Sequence, residues 1–292
     1  MLSGEILKKV RQIEIQTRRV VNEVFAGEYK SVFRGQGMEF SEVREYQIGD
    51  DIRRIDWNVT ARYSHPYIRI MHEERELTVY FAVDISSSTQ FGTAEQLKSE
   101  LAAEVCSVLS FSAIRNNDKV GMISFNDRIE KYIPPRKGKA NAMRVIREIL
   151  FGVHRAGKTD INSSLEYLFK VATKKSVVFV VSDFYELDFN QSLKTLANKH
   201  DVVLIHIVDP MDRALPNVGL ISFRDPESLK ERIVDTGDPN VCKQYAMNYE
   251  ERCKKLDRMA KNAKADLITL ETNRSYIEPL TKFFRMRGKL FH

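Results

Sequence analysis

Residues 77–88 read LTVYFAVDISSS, an almost unbroken apolar run that ends in a carboxylate and three serines. A short run with no polar alternation reads as a strand buried on both faces, the kind found inside a parallel sheet. Working outward, Leu97, Leu101, Val105 and Val108 fall on one helical face, and residues 119–125 form the next apolar run. Helices are predicted over 140–151, 163–172, 191–199, 241–264 and 277–287, and strands over 177–182, 202–208, 220–224 and 267–271. This alternation predicts an α/β fold, with a doubly wound, mainly parallel sheet and helices on both faces.

Upstream the pattern differs. Ile6, Val10, Ile13, Thr17, Val20 and Val24 step by three and four, predicting an amphipathic helix over 4–26. Residues 27–75 lose that period and become dense in charge around EYQIGDDIRRIDW. Asp50, Asp51 and Asp56 stand among Arg53, Arg54 and Arg62, which reads as a self-neutralising, irregular β extension with Trp57 as its buried anchor. The expected division is therefore an N-terminal helix and extension, 1–75, and an α/β domain, 76–292.

The 292 residues are 43% hydrophobic, and 46 Lys plus Arg against 40 Asp plus Glu leave a net charge of only +6. Residues 1–75 carry 13 basic and 12 acidic side chains, so no basic stripe marks a nucleic-acid binder. At the C-terminal end Arg285, Arg287 and Lys289 follow Lys282 without an acid. Cys106, Cys242 and Cys253 form no CxxC pair, so neither a disulfide framework nor a structural zinc site is encoded. The longest apolar runs, 177–181 and 202–208, fall far short of the ~20 residues of a membrane helix, and charges interrupt the N-terminus early. A cytoplasmic protein without an integral membrane segment is the expectation.

In such a sheet, ligands bind beyond the carboxyl ends of the strands. Asp84, Ser86 and Ser88 alternate on the turn leaving the first buried strand, Asp183 follows the strand 177–182, and Thr159 opens a helix between them. Oxygen-only ligands of this kind suit Mg²⁺ or Mn²⁺. The set resembles the von Willebrand factor A-like fold with its metal-ion-dependent adhesion site, DxSxS followed by a distant Thr and a distant Asp. The stretch RGQGMEFSEVREYQIGDDIRRIDWNVTAR, beginning at Arg34, is similar to a bacterial domain-of-unknown-function family whose genes often neighbour MoxR-type AAA-plus ATPases. Lys158 stands where the family usually has glycine ahead of the threonine, Thr89 where an apolar residue is frequent, and many relatives carry membrane helices ahead of the signature. The resemblance implies a non-enzymatic, metal-dependent adaptor. Its expected partner is a MoxR-type ATPase, a client protein, or both, with the partner's acidic side chain completing the metal's coordination.

The competing reading is an NTPase or metal-dependent hydrolase, because Gly152–Thr159, GVHRAGKT, matches the phosphate-loop pattern GxxxxGKT. A phosphate loop must follow a strand, yet Met143, Ile146, Ile149, Leu150 and Val153 repeat at helical spacing before it. Residues 72–76, HEERE, lack the second histidine of a zinc protease. His206 inside an apolar strand and Cys106 on an apolar helix face read as core residues.

Overall fold

The computed structural model describes residues 17, 20–21, 37–63, 65–74, 76–93, 96–152, 158–224 and 231–290. The chain divides into two compact units, one of residues 34–76 and one of residues 77–292 together with 1–33.

In the smaller unit, β1 (Gly37–Glu45) pairs antiparallel with β2 (Tyr67–Glu74), with a bulge between Phe40 and Glu42. The charged link between them is ordered by its own carboxylates. Arg44 donates to both oxygens of Asp50 at 2.9 and 2.7 Å, and Arg69 donates to Asp56 at 2.8 Å. Asp51 and Asp56 also cap the helical turns Ile52–Arg54 and Trp57–Thr60. The expected ion pairs thus form, but Arg44 and Arg69 supply the cations rather than Arg53, Arg54 or Arg62. Trp57 is 69% exposed, so it is not the buried anchor anticipated from its sequence context.

The larger unit is built on six strands: β3 (Thr78–Asp84), β4 (Lys119–Phe125), β5 (Ile129–Arg136), β6 (Val177–Ser182), β7 (Asp201–Val208) and β10 (Asp266–Glu271). Their order is β10-β7-β6-β3-β4-β5, with every pairing parallel except β4 with β5. Helices α1 (Lys98–Arg115), α2 (Lys139–Phe151) and α6 (Ile277–Leu290) cover one face; α3 (Ile161–Val171), α4 (Asn190–Lys199) and α5 (Pro239–Ala263) cover the other. The strands alternate between these layers. Val79, Phe81 and Val83 enter the first core and Tyr80 and Ala82 the second, with Phe81 stacked on Phe179 at 5.5 Å.

Two strands depart from the sequence reading. β5 hides in IEKYIPPR, because Pro134 and Pro135 cannot donate to a ladder and are tolerated only at the sheet edge. Gly121 faces it so closely that a Cβ would lie 3.0 Å from the Pro135 nitrogen. The strand expected over 220–224 forms, as β8 (Leu220–Arg224), but among the described residues it pairs with β9 (Glu231–Asp235) in a separate ribbon and not with the main sheet. The helix expected over 4–26 lies largely outside the described residues; of those described, Thr17 and Val21 are buried, and Val21 belongs to the core cluster that includes Leu101 and Val105. The basic C-terminal piece is partly internal, because Arg287 bridges Asp201 at 2.6 Å and Asp266 at 3.2 Å.

Candidate metal centre

The chain runs from β3 to β4 on one side and later returns to lay β6 on the other. The carboxyl ends of β3 and β6 therefore part at the sheet's switch point, where doubly wound folds place ligands. Asp84 ends β3 and is 3% exposed. Its Oδ1 accepts the Ser86 N–H at 2.9 Å and its Oδ2 accepts the Ser182 hydroxyl at 2.6 Å. Ser86 enters the 3-10 turn Ser87–Gln90 in extended conformation, and its Oγ lies 3.0 Å from the Ser88 Oγ. Thr89 is buried and donates its hydroxyl to the Ser86 carbonyl at 2.8 Å, so its polar atom is satisfied.

Asp183 follows Ser182, whose hydroxyl donates to Asp84, so the two strand ends are linked through that bond, and the Ser88 side chain is near enough to favour the ionised form of Asp183. The next residue, Phe184, has φ +47°, a left-handed conformation uncommon outside glycine. That twist sends the Phe184 ring into the core against Phe189 and His206 and leaves Tyr185 66% exposed at the rim. Burial of the ring offsets the backbone strain. Thr159 is half-buried at the same edge of the sheet. The neighbouring Asp160 N–H donates to the Asn126 carbonyl at 2.6 Å, just beyond β4, and the Ile85 N–H donates to the Phe125 carbonyl at 2.9 Å. Three of the five sequence-predicted residues, Asp84, Ser86 and Ser88, are thus joined by hydrogen bonds, Asp183 stands beside them through its neighbour Ser182, and among the described residues no such bond ties the Thr159 hydroxyl to them. Thr159 instead lines a cleft of about 310 Å³ with Lys158, Asn162, Glu186 and Phe189.

Lys98 is the residue that sequence reasoning missed. At the first turn of α1, its ammonium lies 3.2 Å from Asp183 Oδ2 and 2.8 Å from Asp212 Oδ2, with a side chain only 5% exposed. The signal was present in the helix period, since Lys98 shares a face with Leu101, Ala102 and Val105, all buried. Ser182 and Asp212 were also overlooked, being ordinary residues at the ends of β6 and after β7. Lys158, the ammonium that the sequence places near the site, is exposed.

The electrostatics are uneven. Burial, reinforced by the charge of Asp183, pushes the Asp84 carboxyl up to about 7. Burial opposes ionisation of Asp183 as well, but Lys98 outweighs it and holds that carboxyl below the usual range. Lys98 itself is raised, because Asp183 and Asp212 overcome the cost of its burial. His206 is pushed down to about 4 by burial and is a core residue, as its apolar strand suggested. One ammonium therefore serves a site with more than one buried carboxylate, and Asp84 is left short of positive charge. Among the described residues no three His, Cys, Asp or Glu side chains form a metal-sized group. A cation here would be held by the Ser86 and Ser88 hydroxyls beside the Asp84 and Asp183 carboxylates, a donor set that fits a hard divalent ion.

The phosphate-loop match has no strand ahead of it. Gly152 follows α2 and Lys158–Thr159 lead into α3, so the segment joins helix to helix, with 153–157 outside the described residues.

A family model described as "Protein of unknown function DUF58" matches residues 42–255. The chain belongs to the DUF58 family. An uncharacterized protein of Mycobacterium tuberculosis is 30% identical over 300 residues, covering 99% of this chain and 94% of that protein. Among solved structures, an aerotolerance-related membrane protein from Bacteroides fragilis superposes with a TM-score of 0.50 at 16% identity, over 73% of this chain and 99% of the other. The conserved hypothetical protein BatB from Bacteroides thetaiotaomicron gives a TM-score of 0.48 at 17% identity over the same shares of each chain. The mainly parallel sheet with helices on both faces is the von Willebrand factor A-like architecture that the DUF58 sequence led us to expect.

Proposed function

We propose that this DUF58 chain is a non-enzymatic, metal-dependent protein-binding adaptor. The observation that carries the reading is the convergence of Asp84, Ser86, Ser88 and Asp183 at the switch point, where two buried carboxylates share one ammonium and Asp84 is left short of compensating charge. Mg²⁺ or Mn²⁺ is the cation that these donors suit, and Thr159, at the same edge, is the fifth ligand in this reading. When bound, the ion supplies a positive centre that takes a carboxylate from another protein. The protein's own residues do the rest. Ser182 and the Ser86 N–H orient Asp84, Thr89 holds the serine turn, and the Phe184 twist aims Asp183 at the site.

The hydroxyls of the cluster hydrogen-bond to carboxylates and to one another, with Ser182 buried against Asp84, an arrangement that suits binding better than covalent chemistry. The partner we propose is a MoxR-type AAA-plus ATPase, a client of it, or both, offering an Asp or Glu, in protein assembly or maturation. A cytoplasmic setting goes with this reading: the three cysteines are unpaired, and among the described residues no helix is long and apolar enough to cross a membrane. Calorimetry with Mn²⁺ on the parent and on Asp84→Ala tests the site. Binding by the parent with at least a tenfold loss in the variant is expected; equal affinity in the two would remove the metal from the account.

A further inference from the structure

An adhesion-type cation site needs no lysine, yet here a buried ammonium sits on one of its carboxylates. Lys98 leaves the first turn of α1 and reaches Asp183, just beyond β6, and Asp212, in the turn Pro210–Arg213 after β7. Phe91 closes over it, with the ring centroid 5.8 Å from the nitrogen. A surface lysine would be mobile and hydrated. This one is shut in, with its donors divided between two acids, one of which is a candidate metal ligand.

We infer that Lys98 is the resident counter-cation of the site and sets its affinity for divalent ions by competing for Asp183. The inference rests on the metal reading above. Without metal, the ammonium neutralises Asp183, so the loops after β6 and β7 hold together around α1. A divalent ion that takes Asp183 must share its charge with an ammonium a few ångströms away in a poorly screened interior, where like charges repel far more strongly than in water. Asp212 gives Lys98 a second partner, so the lysine keeps one acid when metal draws on the other. The free protein accordingly holds its metal weakly. A carboxylate arriving on a partner adds negative charge and shifts the balance toward the loaded state, so metal and acidic partner bind each other's complex more tightly than either binds the free chain.

A lysine that merely braced the loops would have the opposite mutational signature: its loss would disorder the ligands and weaken metal binding. The test is a Mn²⁺ titration of the full chain, read by calorimetry and by the loss of the free-ion paramagnetic signal, for the parent, Lys98→Met, Lys98→Gln, Lys98→Arg and Asp84→Ala. Lys98→Met is expected to bind Mn²⁺ at least tenfold more tightly than the parent. Lys98→Gln, which keeps hydrogen-bond donors without charge, should also tighten binding, and it carries the test if Lys98→Met does not fold. Lys98→Arg should stay near the parent. Equal or weaker binding in both neutral variants, with Asp84→Ala still losing the metal, would overturn the role of Lys98 and leave the site intact. Mn²⁺ affinity that ignores Asp84→Ala as well would instead overturn the site and, with it, this inference.

Discussion

The Arg44–Asp50 pair at 2.7 Å and the Lys98–Asp183 pair at 3.2 Å are both short contacts between opposite charges, yet they do different work. In the 34–76 unit the charges are partly exposed and matched one to one. Asp50 and Asp56 are both held below the usual carboxylate range, first of all by their hydrogen bonds to Arg44 and Arg69. At the switch point the groups are buried and mismatched: Asp84 rises while Asp183 falls, and a single ammonium is divided between two acids. Matched surface pairs order a local turn and contribute little to overall stability. Buried groups whose proton affinities are pushed apart mark a place where a ligand is expected.

The largest effect should come from removing the buried cation. Lys98→Met leaves Asp183 and Asp212 without it and is expected to cost about 3 to 5 kcal/mol in denaturant unfolding, partly recovered by Mn²⁺. Unchanged stability would place the two regions in one class. His200 extends the contrast to pH. It is 3% exposed, neither ring nitrogen has a hydrogen-bond partner, and burial pushes it down to about 4 from an unfolded value near 6.5. The unfolded chain therefore takes up the proton first, so stability should be full above pH 6.5, fall on acidification and level off below pH 4. The loss is up to about 3 kcal/mol. Equilibrium unfolding across that window, with His200→Phe removing that part of the slope, checks the assignment. The smallest effect belongs to the exposed unit. Trp57→Ala should shift stability by no more than about 0.5 kcal/mol, because the ring is 69% exposed. A Trp57→Ala chain that melts like the parent and loses its partner would make this segment a binding surface and break the contrast.

The buried strands were legible because an apolar run such as VVFVV has few alternatives once helices flank it. The serine turn was legible because DxSxS places oxygen atoms on one side of a strand exit. β5 was not, since its two prolines argue against a strand anywhere but an edge, and edge position is a property of the whole sheet. Lys98 was hidden for a related reason: one lysine in an apolar helix face reads as a solvated end until its acids, supplied by residues 85 and 114 positions away, are seen beside it. The arginine partners were misassigned because sequence proximity favoured Arg53 and Arg54, while the β1–β2 pairing brought Arg44 and Arg69 to the acids. Trp57 was judged by its place in the IDW stretch, which carries no information about which face of a short turn is covered.

Capture of an acidic partner through the cation is the claim on which the functional account stands. Affinity for a MoxR-type AAA-plus ATPase, the partner proposed above, measured at fixed ionic strength with Mg²⁺ and then with chelator, tests it directly when run on the parent, Ser86→Ala and a chain truncated after Thr281. The account predicts that chelator and Ser86→Ala each weaken binding by at least tenfold, and that truncation has no comparable effect on any chain that remains folded. Affinity indifferent to both chelator and Ser86→Ala, but lost with the C-terminal basic residues, would contradict it.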